Sequence, residues 1–152
     1  MGSRRSVTIK SSGSASVQFV GVEEFLSKLS KLMPDAVEIA KEVLTDAARD
    51  VYSASQDLVP VATGRLKESG TVTPAFESKK GEIQAGVFYG GAALEALLEG
   101  DESPLYAIKV HEDLSWKHVH GQAKFLEVPF LLYQETLMTN LRNSVWEAMH
   151  AN

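Results

Sequence analysis

With 152 residues, 44% of them hydrophobic and 23% charged, the chain has apolar material for one core but not for two. A formal net charge of −5 argues against a protein whose main work is gripping a phosphate backbone, and the lack of cysteine excludes disulfides and thiolate metal sites. No apolar run approaches the ~20 residues that cross a bilayer, and no signal-peptide core follows Met1, so neither a membrane span nor secretion by that route is expected; the missing cysteines suit a reducing cytoplasm.

Taken in chain order, Ser6-Val7-Thr8-Ile9-Lys10 and Ser16-Val17-Gln18-Phe19-Val20 alternate polar and apolar around the turn-rich residues 11–15, which predicts a β-hairpin. Residues 1–21 read as an N-terminal arm and 22–152 as a single domain. Gly21 ends the arm, and residues 22–33, opening with Glu23 and Glu24, read as a short helix. Pro34 then suits the first turn of the next helix. Val37, Ala40, Leu44, Ala47, Val51, Ala54 and Leu58 recur every three or four residues, opposite a charged face with the pairs Glu38–Lys41 and Asp46–Arg49.

That helix runs into Val59-Pro60-Val61-Ala62-Thr63-Gly64-Arg65-Leu66. Pro60 lacks a donor and disfavours a helical Val59, so the helix must stop near Leu58. Gly64 can take a positive φ, Thr63 can fix the turn through its hydroxyl, Arg65 points outward and Leu66 returns to the core. Residues 70–76 and 82–89 are extended, with the charged turn 77–81 between them, which predicts an antiparallel hairpin. Residues 92–98 suit a short helix. The alternation in 104–111 predicts a strand or strand-like segment, and 113–124 reads as a polar loop. Pro129 suits the first turn of a final helix with the apolar stripe Phe130, Tyr133, Leu137, Leu141, Val145 and Met149. The fold class expected is α+β: an N-terminal β-hairpin, a long amphipathic helix and a C-terminal helix packed on an antiparallel sheet, the two long helices bracketing it.

Chemistry could reside in His111, Glu112, Asp113, His118 and His120, which crowd into ten residues and are sound ligand types for zinc, manganese or iron. A small metal-dependent enzyme is the reading this would support. The cluster matches no metal signature, however, and surface histidines in a loop are the plainer account. No Gly-x-Ser-x-Gly elbow and no phosphate-cradling glycine loop is present. Neither a catalytic residue nor a cofactor or metal is therefore assigned. Trp116, among polar neighbours, and Trp146 with Met149 could each anchor a partner; Trp116 suits that role better, whereas closure of the core is preferred for Trp146. Charge is uneven: Arg4, Arg5 and Lys10 form a basic arm, and Glu95, Glu99, Asp101 and Glu102 form an acidic loop. The two could meet across a subunit boundary. The same basic arm could instead grip nucleic acid, against the acidic balance of the whole.

Three segments together carry a resemblance. The corner with Pro60, Thr63, Gly64, Arg65 and Leu66 is the first. Tyr106-Ala107-Ile108-Lys109-Val110-His111-Glu112 is the second. Gly121-Gln122-Ala123-Lys124-Phe125-Leu126-Glu127-Val128-Pro129 before a terminal helix is the third. In this order they resemble the tail-component and minor capsid proteins at the head–tail junction of tailed bacteriophages, over roughly Leu26 to Met149. Where that family usually has an Asp, this chain has Ala62, leaving Thr63 to brace the corner. The resemblance implies a structural virion protein, not an enzyme, that completes the tail in the phage neck. Its implied partners are its own copies in a hexameric ring, the head connector, adaptor or stopper, and the tail tube or tail terminator. A tail terminator or a minor capsid protein is the alternative role. DNA would pass through the ring without specific binding, which the acidic net charge favours. The basic arm and acidic loop would suit the heterologous contact of a closed ring.

Overall fold

The structure, a computed structural model, describes residues 6–10, 14–19, 31, 35–80, 82–91 and 106–151. The helices predicted over 22–33 and 92–98, Pro34, Arg4, Arg5 and the acidic loop from Glu95 to Glu102 lie outside the described residues. So does the side chain of Lys10.

Two antiparallel hairpins share one sheet. β1 (Ser6–Lys10) pairs with β2 (Ser14–Phe19), and β3 (Thr71–Glu77) pairs with β4 (Ile83–Gly90). β2 also pairs with β4, giving the order β1-β2-β4-β3. Period-2 alternation then assigns the faces. Val17 opposes Val87 and Ala15 opposes Tyr89, so these residues and Ala85 and Ile83 share one buried face. Pro74 cannot donate to a ladder, and it is found on the edge strand β3 at a register shift between Thr73 and Phe76. The amide of Ala75, released from the ladder, donates instead to Thr45 Oγ1 at 2.9 Å.

Thr45 belongs to α1 (Ala36–Leu58), which lies across the buried face. Its fully buried line is Ala36, Ala40, Leu44, Ala48, Val51 and Ser55. Ala47, Ala54 and Leu58, expected on that line, are half-buried beside it. The predicted ion pairs form on the wet face, Lys41–Glu38 at 2.8 Å and Arg49–Asp46 at 3.2 Å. α1 ends at Leu58 as Pro60 requires, with Val59 extended at φ −63° and ψ 130°.

One helical turn, α2 (Arg65–Glu68), separates the corner from β3. The segment expected to be a strand or strand-like over 104–111 is helical where it is described, in α3 (Tyr106–Glu112). Its β-branched Ile108 and Val110 mimic a strand, but Ala107, Val110 and His111 are the buried set, at the i, i+3, i+4 spacing of a helix. The terminal helix α4 (Glu127–His150) carries Pro129 in its first turn as expected. It packs along α1, so the two long helices stack on each other and do not bracket the sheet from opposite sides. Phe130, Leu137 and Leu141 still join the common core. Met149 leaves the expected stripe and is exposed, as is Trp146, which therefore does not close the core.

Candidate functional site: a clasp of three segments

The corner after α1 is held by backbone from the loop before α4. Gln122 N donates to Leu58 O at 2.8 Å and Val61 N donates to His120 O at 3.4 Å. Gly121 lies between them at φ +84°. A Cβ there would fall 2.6 Å from both Leu58 O and Pro60 N, so only glycine permits this approach. Gly64 takes φ +85° as expected, and its carbonyl accepts from Glu68 N at 2.9 Å to start α2. The Thr63 hydroxyl, expected to brace the turn, makes no hydrogen bond among the described residues. The loop backbone braces it instead. Arg65 is half-buried rather than projecting freely, and Leu66 is buried as expected.

The same loop then ties down α3. Lys124, at φ +57°, donates its backbone N–H to His111 O at 2.8 Å. Its ammonium bridges the carboxylates of Glu112, at 2.5 Å, and Glu127, at 3.1 Å. Glu112 also holds His111 Nδ1 at 2.7 Å. Burial pushes the Glu112 carboxyl up, but the hydrogen bonds from Lys124 and His111 outweigh this and leave it below its ordinary value. Pairing with Glu112 raises Lys124. His111 is buried, which lowers its pKa despite the neighbouring carboxylate. The ring is thus neutral near pH 7, with the proton on Nδ1 facing Glu112. Its Nε2 has no hydrogen-bond partner among the described residues.

Aromatic edges carry the clasp into the core. His111 meets Phe125 edge to face at 5.1 Å, and Phe125 meets Tyr89 likewise at 5.2 Å. The Tyr89 hydroxyl contacts Ser55 Oγ at 2.8 Å and accepts from Gln56 Nε2 at 2.7 Å. Burial raises the Tyr89 phenol to about 12. This buried polar group was not foreseen. Ser55 falls in register with the buried line of α1, and that register was its only sequence signal.

Outside the clasp, Trp116 is partly exposed, packs edge-on to Tyr106 at 6.0 Å and lies beneath the Lys109 ammonium at 5.3 Å. With Pro60, Val61 and His118 it lines a shallow groove of about 200 Å³. The five residues weighed as metal ligands do not converge. His111 is inside, His120 is exposed, and Asp113 turns to bond the Ser115 backbone and hydroxyl. Among the described residues no group of three or more such side chains is placed to hold a metal ion. No helix among them is long and apolar enough to cross a membrane.

Fold and clasp define a small α+β domain in which the three motif segments meet one another. Over residues 23–127 the chain matches the family described as "Bacteriophage HK97-gp10, putative tail-component", and it belongs to that family. The match takes in the corner, α3 and the clasp. It stops at Glu127, short of the Met149 expected from the resemblance, so nearly all of α4 and the N-terminal hairpin lie beyond it. No curated protein and no solved structure gives a significant match.

Proposed function

We propose that the chain is a structural protein of the phage virion that sits in the neck as a homo-oligomeric ring, completes the tail and joins it to the head connector. Membership of a tail-component family supports the virion setting. The observation that carries the structural reading is the clasp. The residues most distinctive in the sequence are used on one another: Gly121 packs against Pro60, while Lys124, His111 and Glu112 share hydrogen bonds and charge. A catalytic carboxylate–imidazole pair needs access to substrate, whereas this imidazole is sealed. Rigid subunits suit a ring, because each must present two fixed, different patches to its neighbours. The basic arm (Arg4, Arg5, Lys10) meeting the acidic loop (Glu95, Glu99, Asp101, Glu102) remains the proposed subunit contact, and partly exposed Trp116 is proposed as a further partner surface.

Electron microscopy of lysates from phage lacking this gene tests the reading. Full heads beside separate, finished tails are expected. Normal infectious particles would overturn it, and overlong tails would move the role to tail terminator. Reversing Arg4 and Arg5 to Glu should weaken ring assembly; unchanged assembly removes the arm–loop contact.

A further inference from the structure

α4 carries large apolar side chains on two opposite faces, only one of which packs into the core of the described residues. Phe130, Leu137 and Leu141 face the core. On the other side Val128, Leu132, Glu135, Thr139, Arg142, Trp146 and Met149 are all exposed, three of them large apolar side chains more than half accessible: Leu132 at 65%, Trp146 at 62% and Met149 at 57%. Their spacing of 4, 3, 4, 3, 4, 3 is that of a heptad seam, apolar at its two ends and polar across its centre. Neither Glu135 nor Arg142 has an ion-pair partner among the described residues.

The order of chemistries along this seam fixes the partner. It reads apolar, apolar, acid, threonine, base, apolar, apolar, so it complements itself when reversed. A second copy laid antiparallel sets Val128 against Met149, Leu132 against Trp146, and Glu135 against Arg142 twice over, with Thr139 meeting Thr139 at the centre. A parallel copy would set Glu135 on Glu135 and Arg142 on Arg142, where like charges repel. We propose that this face of α4 binds the same face of a second copy of the chain as an antiparallel, two-fold helix pair. This contact is isologous and so distinct from the heterologous contact of a ring, and it does not depend on the neck reading. A single helix pair is small beside the roughly 800 Å² per partner of a standard interface, so the dimer forms reversibly with concentration.

Sedimentation velocity of the full chain over a wide concentration range is the first test, with a monomer–dimer equilibrium expected. Glu135→Arg alone, or Arg142→Glu alone, should weaken it by about tenfold or more, and the two together should restore it. Both side chains are exposed, so folding, followed by circular dichroism, should be retained. The absence of cysteine allows an independent test. Thr139→Cys should give a covalent dimer under mild oxidation, while Ser53→Cys on the exposed face of α1 should not. A chain monomeric at every concentration, oligomers indifferent to both charge reversals, or equal cross-linking at the two cysteines would overturn the proposal. Binding of this face to a different virion protein would appear as the first of these outcomes.

Discussion

Gly121 stands against Pro60 so closely that a Cβ on it would lie 2.6 Å from the proline nitrogen. Gly64, only three residues beyond Val61, has the same left-handed φ but room for a Cβ, which would make only an ordinary contact with Glu68 Oε1 at 3.8 Å. The two glycines therefore separate conformational strain from overpacking. Gly64→Ala should cost only the left-handed penalty, about 1 kcal/mol. Gly121→Ala adds steric displacement of the α1 terminus and should cost about 2–4 kcal/mol. Urea unfolding of both variants checks this, and equal losses would mean that the corner yields easily.

That contrast also marks where the sequence was legible. Both hairpins, both long helices, the stop at Leu58 and the positive φ of Gly64 follow from local rules, because periodicity and backbone restriction act within a few residues. α3 did not, since Ile108 and Val110 favour strands locally and only tertiary burial of Ala107, Val110 and His111 decides for helix. The stacking of α4 on α1 was equally hidden, because an apolar stripe says that a face is buried but not against what. Thr63 is the local candidate for bracing the corner, but the bonds come from residues about sixty positions away, which no local rule reaches. Apolarity does not distinguish a core face from an unfilled one, so in the sequence Trp146 and Met149 fit a partner anchor as well as the core, and burial alone decides between them.

Tyr89 should make the protein sensitive to alkali. Its phenol ionises near pH 10 when unfolded and at about 12 when folded. Because the folded value is the higher one, its contribution is complete below pH 10 and is lost as pH rises toward 12. Tyr89→Phe should flatten this alkaline decline. At pH 7 it should cost only about 1 kcal/mol, since Ser55 still bonds Tyr52 O and Gln56 still bonds Lys67 O. Urea midpoints at pH 8 and pH 11 for both proteins make the comparison.

Lys124 joins α3 to the start of α4 through Glu112 and Glu127. Lys124→Met keeps the stem but removes the charge, leaving two carboxylates near one another. The expected loss is about 1 kcal/mol, the pair being partly solvated. Raising salt should shrink the difference between variant and parent. A loss that ignores salt would mean that the stem's packing, not its charge, matters at this position.

His111 should set the acid limit. The ring is buried against Phe125 and faces Glu112, while Lys124 and Glu127 are the remaining charged groups close to it. Burial lowers its folded pKa below the ordinary 6.5, so the unfolded chain takes up the proton first as pH falls. Stability contributed by the neutral ring is thus present above pH 6.5 and is lost below it, down through the folded value. Glu112, also lowered, contributes to the loss only as pH falls past the ordinary carboxylate range. The window just below pH 6.5 therefore belongs to His111 within this cluster. His111→Phe preserves the aromatic edge against Phe125 while removing the titration. Its Tm should change less than the parent's between pH 7.5 and pH 5.5. If both proteins lose stability in parallel, protons are being taken up elsewhere, and the clasp is not the acid-sensitive element.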